Sequence, residues 1–424
     1  MASLPSLFRV RQNFAPTPPV DLGAALAAGF VALRPQLRSG ASIAVGVGSR
    51  GISQLPEIVA ATIAQLHAAG TRPFIFPAMG SHGGATPEGQ RAMLASLGIT
   101  EATMGVPIRD SLDVREVGRT PDDVPVFAST VALAADGIIL VNRIKPHTDF
   151  YSPTLGSGLL KMAVIGLGKR AGAAAMHLAA SRLGHERAIR TMADGLLRTA
   201  PLLGGVAILE NQFHAVARVV VVPAADFMRD EAALLVASRA LMPLLPFDEI
   251  DLLIIDRIGK NISGTGMDPN VIMRSVDGFS TSLDRAGRPA PFIRRIFVRD
   301  LTVETRGNAL GIGLADFTTA RCVRAIDRRV TDINSLTALT PNIAKLPIAF
   351  DTDREAIERA LDSLPLADPA AARVVRIADT LTLAEIEVSE AMAAEVSAHP
   401  GLTVIGAAHP LAFDAEGNLP FAFH

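Results

Sequence analysis

Between Ser42 and Asp256, short runs of β-branched apolar residues alternate with longer stretches whose apolar positions recur every three to four residues. SIAVGVG (42–48) reads as a strand ending in glycines. LPEIVAATIAQLHAAG (55–70) has helical spacing and a terminal Gly, and PFIFPA (73–78) reads as a buried strand. After MGSHGG a second helix is predicted: Thr86 is placed to cap it, Pro87 suits its first position, and Glu88 suits its positive end. GIILVN (137–142) is a further strand, leading into RIKPHTDF. This alternation predicts a parallel sheet with helices on both faces.

SRALMPLLPFDEID (238–251) carries two prolines and runs into a fresh strand, LLIID (252–256), so the domain boundary is placed there. The expected architecture is α/β: two α/β domains, 1–243 and 244–424, with mainly parallel sheets flanked by helices. The active site is expected in the cleft between them. The second half repeats the style, with a long loop IGKNISGTGMDPN (258–270), a strand RIFVRDL, and a strand-to-helix stretch IAFDTDREAIERALDSL. Ligands of open α/β sheets bind at loops beyond the carboxyl ends of strands. That rule selects 48–52, 79–85, 143–150 and 258–270.

Composition narrows the function classes. At 424 residues, two domains are expected. An apolar fraction of 49% excludes a disordered chain, and a net charge of -2 with scattered basic residues excludes a strongly basic nucleic-acid binder. No apolar run is long enough to cross a bilayer, and the N-terminus has no secretory signature, so a cytoplasmic protein is expected. The single cysteine, Cys322, rules out an intramolecular disulfide, a cysteine-based zinc site and an iron–sulfur cluster. Any metal must be held by His, by carboxylates, or by a cofactor bringing its own ligands. With no Trp and one Tyr, Tyr151, an aromatic stacking platform is not expected.

Four residues stand out chemically. His82 sits among Gly80, Ser81, Gly83 and Gly84 just before a helix start, where the backbone can approach a ligand closely; it reads equally as a surface-turn histidine. His147 follows a strand in IKPHTDF, and Pro146 fixes its approach; an imidazole there suits acid–base work around neutral pH, the alternative being a strand-end cap. Lys161 interrupts the apolar run GLLKMAVIGLG, which by composition belongs in a sheet or core. A buried ammonium is costly unless paired, neutralised or modified, so Lys161 is either an edge lysine reaching solvent or a lysine placed for covalent chemistry. His177 lies in an alanine-rich helix, RAGAAAMHLAASRLGH. Its small neighbours leave room for a ligand, although a lone helix histidine is more often structural.

Taken together, these residues resemble the nickel-dependent lactate racemase family, in the branch carrying a GSHGG segment. The resemblance is most specific between Asn142 and His177, where a Pro-His loop is followed by a glycine-bearing stretch ending in lysine and, sixteen residues later, a helix histidine. It implies a nickel–pincer nucleotide (nickel held by a pyridinium-thioamide-thiocarboxylate mononucleotide) joined covalently to Lys161, with His177 as the protein's nickel ligand. It further implies His82 and His147 as paired general acid/base residues, and Arg50, in GSRGI, as the partner of the substrate carboxylate. Gly80, Ser81 and Gly158 are carried over as cofactor contacts beside Lys161 and Arg50. Lys260, Asn261, Asp268 and Arg274 are the substrate-side candidates in the C-terminal half. The chain departs from the family at Gly46, Val47 and Gly48, where many members have an acidic residue, and in the longer spacing between His147 and Lys161.

The implied activity is a racemase or epimerase, inverting the α-carbon of a 2-hydroxy acid by proton-coupled hydride transfer to the tethered nucleotide. The pincer supplies most of the metal's ligands, which accords with a chain almost without cysteine. Acylation would remove the charge of Lys161. The expected partners are a small 2-hydroxy acid and the cofactor-synthesis enzymes, with no nucleic acid and no membrane; homo-oligomerisation is left open. Two rival readings keep the same loops: a metal-dependent lyase or hydrolase using His82, His147 and His177 around an ordinary divalent ion, and a non-catalytic nucleotide- or cofactor-binding protein.

Overall fold

The computed structural model describes residues 4–49, 51–80, 82–276 and 291–421. Arg50 and Ser81, two of the expected ligand contacts, lie outside the described residues. By contacts the chain divides into two units, one of Thr17–His147 and Tyr151–Met242, the other of Met1–Pro16, Thr148–Phe150 and Pro243–His424.

The first unit is built on a five-stranded sheet in the order Arg72–Pro77, Ser42–Val47, Gly137–Arg143, Leu202–Glu210, Val216–Pro223. The first four strands are parallel and the last is antiparallel. Ile43, Val45, Val47, Ile139 and Val141 are fully buried, the continuous apolar pattern of strands covered on both faces. The Leu55–Ala68 helix turns Leu55, Ile58, Val59, Thr62, Ile63 and Leu66 inward, a 3.6-residue stripe that docks on this sheet's core. Thr86 caps the Pro87–Ser96 helix as expected, accepting the Gly89 N–H at 3.0 Å.

The apolar run around Lys161 differs from a strand. Leu159–Lys161 forms an α-helical turn, Met162–Leu167 a π-helical one, and Lys169–Leu183 a regular helix. Close approach allows this: a Cβ on Gly168 would stand 2.3 Å from the Val164 carbonyl oxygen, and one on Gly172 would stand 2.6 Å from it. The run is buried, but as a helix threaded between neighbours.

The second unit holds an eight-stranded sheet, ordered Ile348–Phe350, Phe317–Thr319, Phe292–Leu301, Glu249–Ile258, Val374–Ile377, Glu385–Ser389, Leu7–Gln12, Leu402–Val404. The first five strands are parallel and the remaining pairings antiparallel. Leu7 and Val10 are fully buried, and their strand pairs with Glu385–Ser389 and Leu402–Val404, so the first residues belong with the C-terminal half. Beneath this sheet Arg299 pairs with Asp256 at 2.8 Å and Asp353 at 2.7 Å, while Arg376 pairs with Asp256 at 2.9 Å. Every one of these buried charges has a partner of opposite sign, the condition for tolerating it. Among the described residues no helix is long and apolar enough to cross a membrane.

Candidate functional site

Lys161 Nζ is in hydrogen-bond contact with Nε2 of His147 and lies 3.5 Å from Ser157 Oγ. The backbone explains how residues fourteen apart meet. Lys145 and Ser157 exchange both backbone hydrogen bonds, at 2.9 and 2.7 Å, closing the intervening loop like a clasp. His147 stands two residues inside that clasp and Lys161 four residues beyond it. Gly156 is obligatory at the clasp, because a Cβ there would stand 2.4 Å from the Lys145 carbonyl oxygen. His147 is buried, Lys161 is half-buried, and the His185 ring lies 6.2 Å from that of His147, centroid to centroid.

The turn presenting Lys161 is anchored from a distant helix. Glu231, on the Phe227–Ala240 helix, is 1% exposed and accepts the Leu160 N–H at 2.8 Å. Burial pushes its carboxyl up to about 7, opposed by the N–H groups of Leu160 and Leu159 and by the Arg190 charge. Gly158 has a physical reason to be glycine, since a Cβ there would meet the Glu231 carboxylate at 2.4 Å. Asn142 adds a second tether, its Nδ2 donating to the Gly158 carbonyl at 2.9 Å.

The loop carrying His82 leaves the Arg72–Pro77 strand and passes against the same helical segment. A Cβ on Gly80 would stand 3.1 Å from Ile165 Cγ2 and 3.3 Å from Ala173 Cβ. Ile165 and Ala173 are each four residues past or before a predicted functional residue, Lys161 and His177 respectively. Gly80 is therefore packed between the turns that bear them. His177 is half-buried on the Lys169–Leu183 helix, and His82 is exposed. The Ser53 N–H is held by Glu210 Oε1 at 2.7 Å, and Glu210 also pairs with Arg143.

The C-terminal candidates belong to the other unit and have partners of their own. Lys260 Nζ donates to the Gly264 carbonyl at 2.5 Å, and Asn261 Oδ1 accepts from Thr302 at 2.6 Å. Asp268 caps the short Pro269–Ile272 helix. The Arg274 guanidinium is bound to Asp316 at 2.6 Å and to the Leu314 carbonyl at 2.7 Å.

Reasoning from sequence missed Glu231, Asn142 and Lys169. Lys169 is the fully buried lysine of this region, 1% exposed, whereas Lys161 is only half-buried. A lysine directly after GLG within an apolar stretch was the available signal. Among the described residues no three His, Cys, Asp or Glu side chains gather as a metal cage.

The fold is that of an α/β protein with mainly parallel sheets flanked by helices. Among solved structures, the chain is similar to the lactate racemase apoprotein from Thermoanaerobacterium thermosaccharolyticum, with a TM-score of 0.51 at 12% identity, covering 89% of this chain and 99% of that one. It is also similar to a protein from Thermotoga maritima, with a TM-score of 0.50 at 14% identity, covering 78% of this chain and 84% of that one. No family model matches the chain. No curated protein matches it either.

Proposed function

We propose that the protein is an isomerase that inverts the α-carbon of a 2-hydroxy acid, using a nickel–pincer nucleotide tethered to Lys161. The observation carrying this reading is the contact between Lys161 Nζ and His147 Nε2, which puts an attachable amine beside a proton-handling imidazole. The likeness in fold to a lactate racemase apoprotein supports it.

The residues present fit such a group. Lys161 offers a half-buried amine for acylation on an anchored turn, and His177 offers one imidazole on the helix that follows. One protein ligand suffices where the cofactor brings the others. The glycine at position 80 leaves the His82 loop close against both turns. When bound, the group supplies a hydride acceptor and donor.

The chain's own residues do the rest. His147 takes or returns the hydroxyl proton, and His82 does so from the opposite face, as a two-way reaction requires. Arg50 forks onto the substrate carboxylate, with Ser81 beside the cofactor; both assignments rest on the sequence. Lys260 and Asn261 are proposed as substrate contacts, likewise from the sequence.

The test is a panel of single-enantiomer 2-hydroxy acids offered to protein co-produced with pincer-synthesis enzymes and followed by chiral chromatography. Interconversion of at least one pair is expected. Loaded protein that racemises none of them and exchanges no α-hydrogen would favour a cofactor-binding role without turnover.

A further inference from the structure

In the first unit Lys169 and Gln90 form a buried polar pair. Lys169 is 1% exposed and Gln90 fully buried. Lys169 Nζ donates to the Pro77 carbonyl at 2.5 Å and to Gln90 Oε1 at 3.2 Å. Gln90 Nε2 in turn donates to the Gly80 carbonyl at 3.1 Å and the Met79 carbonyl at 3.3 Å. The chain of bonds therefore runs from the junction between the Lys161 and His177 segments to the backbone entering the His82 loop. Lys169 also sits at φ +54, a left-handed conformation uncommon for a residue with a side chain, at the join between the π-helical turn and the following helix.

Stability alone does not explain this arrangement. A buried ammonium costs free energy that an apolar side chain of similar length would not, so a lysine is retained where its directed hydrogen bonds matter. The Phe76 ring centroid lies 5.9 Å from its Nζ, and Asp110 is an acidic group that acts on it. Burial lowers the Lys169 ammonium to about 8, yet as ammonium or as amine it keeps enough N–H groups for both acceptors. Gln90 spends its carbonyl on Lys169 and its amide N–H groups on the loop, so the amide cannot rotate without breaking both contacts.

We propose that Lys169, acting through Gln90, is a positioning residue that locks the His82 loop onto the helical segment bearing Lys161 and His177. The proposal rests on the racemase reading for its catalytic consequence, but not for its structural one. The lock fixes the general base on one side of the site relative to the cofactor attachment point on the other. It explains why a polar pair is buried where two apolar side chains would pack.

The experiment compares Lys169→Met and Gln90→Leu in the full-length apoprotein, by hydrogen–deuterium exchange at Ala78, Met79, Gly80 and His82 and by thermal unfolding. Exchange at these amides is expected to rise about tenfold in either variant, the scale of one lost charge-assisted hydrogen bond, while the Leu202–Glu210 strand stays protected. The double variant should exchange no faster than either single one, because both cut the same chain of bonds. Should Lys169→Met fail to fold, Gln90→Leu carries the test alone. Unchanged exchange at the loop, or faster exchange spread evenly over the whole unit, overturns the proposal. In loaded protein, the same variants should lower kcat and alter the pH profile while leaving the Lys161 adduct mass intact. Loop loosening without any turnover in the parent enzyme would count against the racemase reading and leave the lock standing.

Discussion

Lys161 Nζ and His147 Nε2 are in hydrogen-bond contact, held there by the backbone clasp of Lys145 and Ser157. Acylation of the amine would leave the imidazole beside a neutral amide N–H, with its place fixed by the clasp. His147→Ala should therefore still acquire the adduct, seen as an unchanged mass increment, while turnover falls by about 10²–10⁴, the usual worth of a positioned acid–base group. Loss of the adduct itself would make His147 a loading residue instead.

Gly158 and Glu231 form a second coupled pair. Gly158→Ala drives a methyl into the carboxylate, so it should cost about 1–3 kcal/mol in denaturant unfolding. Shortening the opposing residue in Gly158→Ala/Glu231→Ala should cost less than the two single changes added together, because the clash is gone. Strict additivity would contradict the packing described.

Glu231 also sets a pH dependence. Its folded carboxyl, near 7, lies above the ordinary carboxylate value, so between about pH 4.5 and 7 the folded state holds a proton that the unfolded state has released. Stability from this group is thus full below that window and lost as pH rises through it, by at most about 3 kcal/mol. Glu231→Gln should be no more stable than the parent near pH 4.5 and more stable near pH 8. Parallel stability–pH curves for the two proteins would refute this.

Arg274 separates a structural from a substrate role. Arg274→Gln breaks the bonds to Asp316 and Leu314, and should lower stability by about 1.5–3 kcal/mol while leaving KM unchanged. A raised KM with unaltered stability would return Arg274 to the substrate site.

Much of the frame was legible in the chain. The strands at Ser42–Val47, Arg72–Pro77 and Gly137–Arg143 carry continuous apolar runs, and the Thr86 cap announced its helix. What escaped depended on partners remote in sequence. GLLKMAVIGLG has the composition of a strand, but its glycines admit neighbouring backbone so closely that a helix with a π-helical turn fits. Glu231 looks like an ordinary charged helix residue until the Leu160 N–H, seventy-one positions away, is seen on its carboxylate. Likewise, which of Lys161 and Lys169 is buried is decided by the Pro77 carbonyl and Gln90, not by local pattern.

The most direct test of the account is intact-mass and nickel analysis of the parent protein and of Lys161→Ala, each co-produced with pincer-synthesis enzymes. The account predicts a covalent mass increment with bound nickel in the parent, and neither increment nor racemisation in Lys161→Ala. A Lys161→Ala protein that still racemises a 2-hydroxy acid, or a parent that does so without any adduct, would contradict it.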